Sequence, residues 1–127
     1  MATADERETV SSYDGFDFRR LWVGRGSVTR LEERLLQRAL EDADRSRLLE
    51  APTGFGRLSG TLASVADEYV GVDLDPTQFD SVQEAVRAGR RRGPDLMAVA
   101  NLFHLPFRSE SFSTVVSVRV FHHIRQP

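Results

Sequence analysis

The sequence predicts an α/β fold: an open, parallel sheet with flanking helices. Short apolar runs alternate with segments of helical periodicity, a pattern typical of parallel strands joined by crossover helices. The first run is followed at once by a turn that contains Gly54 and Gly56, and the second run ends on Asp73. In open parallel sheets, ligands bind at the carboxyl ends of the strands, so these residues predict a ligand crevice there.

The composition narrows the class of protein before any motif is considered. The chain has 127 residues, 40% of them apolar and 28% charged, which indicates one globular domain with a modest core. Its net charge of -2 argues against a nucleic-acid or anionic-membrane partner, and the absence of cysteine excludes disulfides and thiolate metal sites. We find no apolar run of membrane-spanning length and no signal peptide, so we expect a cytoplasmic protein.

The N-terminal part is expected to hold a polar tail, an aromatic entry segment and a helix. Residues 1–26 precede the predicted domain, which covers residues 27–127. Helical spacing predicts a helix from Val28 to Ala43, capped by Ser27 or by Thr29 with Glu32. Its expected buried stripe consists of Val28, Leu31, Leu35, Leu36, Ala39 and Leu40.

Four strands and two further helices complete the prediction. The expected strands are Arg47–Ala51, Tyr69–Asp73, Leu96–Ala100 and Thr114–Val120. The second helix is expected over Arg57–Ala66. A third helix begins with Asp75 as cap, Pro76 in the first turn and Gln78 completing a capping box. It directs Phe79, Val82 and Val86 to the core and ends near Gly89, before a solvated loop at Arg90–Arg92.

The turn after the first strand carries the first chemical signal. Gly54 and Gly56 lack a Cβ, so the backbone can turn sharply and approach a ligand closely. The helix that follows presents unpaired N–H groups at its start. A glycine turn that only connects two elements is the alternative, because such a motif alone is weakly specific.

The second signal is Asp73 at the end of the second strand. A carboxylate at this position can accept both hydroxyls of a ribose. Asp75 is explained by helix capping, whereas Asp73 has no such explanation. Leu74 would then offer an apolar surface beside the base.

Three segments together resemble class I S-adenosylmethionine-dependent methyltransferases of type 11. They are LLEAPTGFGRL, GVDLDP and ANLFHLPFRSESFSTVVSVRVFHHI, which occur in the family's order within residues 48–124. The resemblance implies a Rossmann-like fold, S-adenosyl-L-methionine as cofactor, S-adenosyl-L-homocysteine as product and a small-molecule methyl acceptor.

The resemblance also assigns cofactor-binding positions. Pro52 replaces the first glycine of the family's glycine motif, and Asn101 stands where an acidic residue is common, although its amide can still accept from the adenine amino group. Ser113 replaces an aspartate of the family. The implied cofactor-binding residues are Glu50, Pro52, Thr53, Gly54, Gly56, Asp73, Leu74, Asn101, Leu102 and Val118. No metal site is expected.

Several side chains remain open to more than one interpretation. His122 and His123 follow the fourth strand, where an imidazole could act as general base, but the resemblance assigns them no catalytic role. Tyr13, Phe16 and Trp22 could close over the cofactor or, as aromatics more often do, pack the leading helix against the sheet.

The extent of the resemblance leaves the activity open. The family sheet has seven strands in the order 3-2-1-4-5-7-6, and the sequence ends after the fourth, so we expect an incomplete sheet ordered 3-2-1-4. Its exposed fourth strand invites self-association. An inactive fragment or a non-catalytic S-adenosylmethionine-binding module is the alternative to an active enzyme. An NAD(P)-binding module is less favoured, because its motif requires glycine or alanine where Ser59 stands.

Overall fold

The computed structural model describes residues 18–120 and confirms the α/β class. It contains four parallel strands, of which the first three are connected by helices, while the described segment between the third and the fourth contains no helix. In chain order the elements are α1 (Phe18–Trp22), α2 (Gly26–Leu40), β1 (Arg47–Glu50), α3 (Ser59–Val65), β2 (Glu68–Asp73), α4 (Thr77–Arg87), β3 (Leu96–Val99) and β4 (Thr114–Val116).

The strands form a single sheet in the order β3-β2-β1-β4, as predicted. Parallel pairing sets Glu50 of β1 beside Gly71 of β2 and Val116 of β4. Asp73 at the end of β2 pairs with Val99 at the end of β3. The carboxyl ends of all four strands therefore lie along one edge, and the turns that follow them meet there.

The sheet is covered on both faces because successive side chains in a strand point to opposite sides. Leu48 and Tyr69 face the helices and pack with Leu62 of α3 and Leu40 of α2. On the other face, one cluster forms around Leu49, Ala51 and Val72, covered by Phe107 and Phe112 of the β3–β4 connection. Those two rings meet edge to face, with centroids 4.9 Å apart.

Helix α2 differs from the prediction in its cap and in its buried face. It begins at Gly26 after Arg25, with no side-chain cap, so the expected cap at Ser27 or Thr29 is wrong. Of the predicted stripe, only Leu36 and Leu40 pack on the core. The stripe residues that remain exposed are Val28, Leu31, Leu35 and Ala39.

The start of α4 keeps the predicted Asp75 contact, although the helix begins at Thr77 with Pro76 in the N-cap position, one residue later than predicted. The Asp75 carboxylate accepts the backbone N–H of Thr77 at 2.9 Å, as expected of a cap. The Asp75 N–H does not complete the box with Gln78, because it donates to Asp73 instead. Along the helix Phe79 and Val82 are buried as predicted, but Val86 is 44% exposed. Ala85 takes its place in the core.

The N-terminal and C-terminal elements also differ from expectation. Residues Phe18–Trp22 form a helix where no regular structure was predicted. Strand β4 ends at Val116 rather than Val120, because the Ser117 hydroxyl donates to the Ala51 carbonyl at 2.6 Å and Arg119 has a φ of 57°. Such a φ is incompatible with an extended strand. Within residues 18–120, no helix is long and apolar enough to cross a membrane.

Candidate functional site

The site at the strand ends is organised by the Asp73 carboxylate. One carboxylate oxygen accepts the Gly54 N–H at 2.8 Å, and the other accepts the Asp75 N–H at 3.0 Å. Burial raises the Asp73 pKa, although these backbone hydrogen bonds oppose the shift. Asp73 therefore joins the end of β2 to the glycine turn after β1, the two elements from which the predicted crevice is built.

The two glycines of this turn have different roles. Both have positive φ, 59° at Gly54 and 84° at Gly56. A Cβ on Gly56 would lie 2.8 Å from Cγ2 of Val82, so this glycine allows the turn to pack on α4. A Cβ on Gly54 would meet no atom within 4 Å. The backbone at Gly54 is therefore bare on its outer side, where a ligand can approach it.

Two of the predicted cofactor-binding side chains, Glu50 and Thr53, are buried at the glycine turn. Glu50 is 3% exposed and Thr53 6% exposed. The Tyr69 hydroxyl donates to the Glu50 carboxylate and lies 3.2 Å from the Ser59 hydroxyl. Burial raises the Glu50 pKa to about 8, against the lowering effect of the Tyr69 hydrogen bond. Glu50 is thus a buried side chain that supports the glycine turn, and its raised pKa favours the protonated form.

Sequence reasoning missed Tyr69 as part of this site. Glu50 and Tyr69 both face α3, since Leu48 pairs with Tyr69 and Glu50 lies two residues further along β1. A buried phenol needs a hydrogen-bond partner, and the nearest polar side chain on that face is Glu50. Strand register together with this requirement could have identified the pair.

The outer part of the crevice contains Leu74 and Asn101. Leu74 follows Asp73 directly and is 53% exposed, which leaves an apolar surface beside the carboxylate. The Asn101 amide oxygen accepts the Phe103 N–H at 2.9 Å. A carbonyl oxygen has two lone pairs, so Asn101 retains capacity for a further donor. Leu102 packs on the core cluster around Val72.

The remaining predicted positions lie at the edges of the crevice. Pro52 is half-buried and leads into the glycine turn. Val118 packs against the core cluster that contains Val116 and Leu40. Ser113 has a structural role at the opposite edge of the sheet, where its hydroxyl accepts the Arg47 N–H at 3.0 Å.

A cluster around Glu32 connects α1 and α2 to the glycine turn. The Glu32 carboxylate lies 2.6 Å from Nη2 of Arg57, directly after the turn, and 2.8 Å from Nε of Arg119. Burial raises the Glu32 pKa, but the hydrogen bonds from Arg119 and Arg57 outweigh it and hold that pKa below its usual value. The Arg57 guanidinium also lies 3.8 Å from the centroid of the Trp22 ring. Trp22 therefore contacts the glycine turn through Arg57.

Arg91 corrects the prediction of a solvated arginine loop. Its Nη1 donates to the Gly56 carbonyl, so this side chain holds the glycine turn from the side of α4. Arg90 and Arg92 remain exposed. Tyr13, Phe16, His122 and His123 lie outside the described residues. Among residues 18–120, no group of three or more acidic, histidine or cysteine side chains could hold a metal.

The fold defines an open, parallel α/β domain with a crevice at its glycine turn. Residues 49–127, well over half of the chain, match the family described as "Methyltransferase domain", type 11. The chain belongs to this family. A search of curated proteins found no match.

Solved methyltransferases share the fold at low sequence identity. A magnesium protoporphyrin IX methyltransferase from Synechocystis PCC 6803, with bound SAM, is 19% identical with a TM-score of 0.58, over 94% of this chain and 57% of its own. The same enzyme with bound SAH is 18% identical with a TM-score of 0.54, over 89% of this chain and 51% of its own. An S-adenosylmethionine-dependent methyltransferase from Clostridium acetobutylicum ATCC 824 is 16% identical with a TM-score of 0.50, over 81% of this chain and 37% of its own. The chain thus spans between about a third and somewhat over half of these proteins.

Proposed function

We propose that this chain binds S-adenosyl-L-methionine in the crevice between the glycine turn and Asp73, and that it acts in methyl transfer to a small-molecule acceptor. The observation that carries the proposal is the Asp73 carboxylate, which stands at the end of β2 and contacts the Gly54 N–H. A carboxylate at this position of an open parallel sheet is suited to a ribose. The family membership and the solved relatives with bound SAM and SAH support this choice of ligand.

The residues present fit such a ligand. The bare backbone at Gly54 permits close approach, and Leu74 supplies an apolar surface for the base. Asn101 would accept from the adenine amino group through its second lone pair. Glu50 would act indirectly, by supporting the turn from below.

In this proposal the chain acts mainly by positioning. When bound, the cofactor supplies an electrophilic methyl group on its sulfonium. Asp73 and the glycine turn would fix its nucleoside, and positioning a nucleophile in line with the methyl is the main requirement for transfer. Within residues 18–120, Val118, just after β4, would lie near the methionine end of the cofactor.

Calorimetric titration with S-adenosyl-L-homocysteine and, separately, with NAD tests the proposal. We expect binding of the first and none of the second. Asp73→Asn should weaken binding at least tenfold, since hydrogen bonds to a charged acceptor contribute about 1.5–3 kcal/mol each. Asp80→Asn, an exposed aspartate of α4, is the matched control and should leave affinity unchanged. Binding of NAD alone, or equal affinity in the Asp73 variant, would contradict the proposal.

Methyl transfer itself is tested by incubation with S-adenosyl-L-methionine carrying a labelled methyl group and a panel of small nucleophiles. Label in an acceptor supports catalysis. Binding without transfer to any acceptor of the panel would support the non-catalytic alternative.

A further inference from the structure

A groove of about 850 Å³ lies on the helical side of the sheet, apart from the Asp73 crevice. Its lining comes from α1, α2, α3 and α4 and from the segments that follow α1 and α4. The two sites share one wall, because Phe55 and Arg57 at the glycine turn also line the groove. Asp73, Leu74 and Asn101 do not line it. The volume falls within the range of small-molecule sites, roughly 300–1,000 Å³.

The lining of this groove is strongly basic, although the whole chain has a net charge of -2. Two glutamates, Glu33 and Glu84, face the same groove. Positive side chains outnumber negative ones by three, and by two if Glu32, the partner of Arg57, is counted. The arginines of the lining are Arg19, Arg30, Arg57, Arg90 and Arg91. A concave site lined mainly by one sign of charge concentrates the opposite sign.

Two of the five guanidinium groups are held in place by specific contacts, those of Arg57 and Arg91. Arg91 donates to the Gly56 carbonyl, which leaves its charge without an acidic partner in that bond. Arg57 is fixed between Glu32 and the Trp22 ring, and its Nη1 is buried with no hydrogen-bond partner among residues 18–120. Arg90 lies 3.4 Å from Glu84, a long contact between two exposed side chains. Such exposed pairs contribute little and are easily exchanged for another anion.

We propose that this groove is a second binding site, for a small ligand that carries at least two negative charges on phosphate or carboxylate groups. Planar guanidinium groups bind the paired oxygens of phosphates and carboxylates through two parallel hydrogen bonds. Arg30 on the α2 side and Arg91 on the α4 side would contact the ligand from opposite walls. The contact of Arg91 with Gly56 connects this site to the glycine turn.

Trp22 provides a direct readout, since it is the only tryptophan of the chain and lines the groove. Inorganic triphosphate and citrate serve as phosphate and carboxylate probes, titrated at constant ionic strength without S-adenosyl-L-homocysteine. We expect saturable binding of at least one probe by calorimetry, with a change in Trp22 fluorescence. The stronger of the two identifies the ligand chemistry. Saturable binding should persist when S-adenosyl-L-homocysteine is present at saturation, and displacement by it would show that the two sites are one.

A matched pair of double variants separates a site from general electrostatic attraction. Arg30→Gln with Arg91→Gln removes two groove arginines, and Arg38→Gln with Arg87→Gln removes two charges from the same region outside the lining. The first pair should weaken probe binding at least tenfold, because it removes two charge-assisted hydrogen-bond donors from the groove. The second pair should leave affinity within about twofold, since exposed charges at a distance are screened by salt.

The single variant Arg30→Gln, which does not touch the glycine turn, guards against a folding defect. It should fold as the wild type by circular dichroism and still lose affinity. Equal weakening by both double variants, or the absence of saturable binding for both probes, would overturn the proposal.

Discussion

The Asp73 carboxylate accepts the Gly54 N–H at 2.8 Å and so connects two turns that are 19 residues apart in the chain. This contact lies within the chain itself and fixes the glycine turn relative to the end of β2. A buried carboxylate held by backbone N–H groups needs little reorganisation to accept further donors. The geometry of the crevice therefore depends on the conformation of the glycine turn at Gly54 and Gly56.

Gly56→Ala should destabilise the fold more than Gly54→Ala. Both positions have positive φ, so both variants carry a backbone cost of about 1–2 kcal/mol. At Gly56 the added methyl also meets Val82 Cγ2 at 2.8 Å and Ser59 Oγ at 3.0 Å, while at Gly54 it meets nothing. Overpacking of this kind costs about 1–3 kcal/mol more. Urea unfolding measures the difference, and equal free energies of unfolding would contradict the packing role of Gly56.

The strands could be predicted from the sequence, whereas several side-chain contacts at the glycine turn could not. Short apolar runs bounded by turn residues predicted all four strands, because burial determines that pattern, whereas the order of the strands was expected from the family resemblance. The predicted buried stripe of α2 was wrong where a partner surface is missing, as at Leu31 and Leu35, which remain exposed. The orientation of Glu50 beneath the turn was not predictable from the motif, since it depends on the Tyr69 hydroxyl, which reaches it from the neighbouring strand. The contact of Arg91 with Gly56 likewise depends on tertiary packing across 35 residues.

Glu50 should make stability depend on pH. Burial raises its pKa from 4.5 to about 8, so the folded chain binds more protons than the unfolded chain between these values. The stabilisation is full below about pH 4.5 and is lost as the pH rises to about 8, by up to about 1.4 kcal/mol per pH unit. Glu50→Gln removes this group from titration and should flatten the decline.

The comparison requires a control for the general effect of removing a carboxylate. Glu41→Gln, at the exposed end of α2, should retain the wild-type dependence. The free energy of unfolding of all three proteins is measured by chemical unfolding at several pH values between 4.5 and about 8. A wild-type slope that persists in Glu50→Gln would show that other groups, such as Asp73, cause it.

Strand β4 should mediate self-association. It lies at one end of the described sheet, and Val115 at its centre is 59% exposed. An exposed apolar edge strand is a template for pairing with a second chain. Val115→Glu should therefore reduce the mass measured by light scattering at high concentration, because a charge on the edge opposes strand pairing. Leu96→Glu, at a residue 56% exposed on β3 at the other end of the sheet, is the matched control and should leave the mass unchanged. A wild-type protein that stays monomeric at high concentration, or an equal effect of both variants, would rule out β4 as the interface.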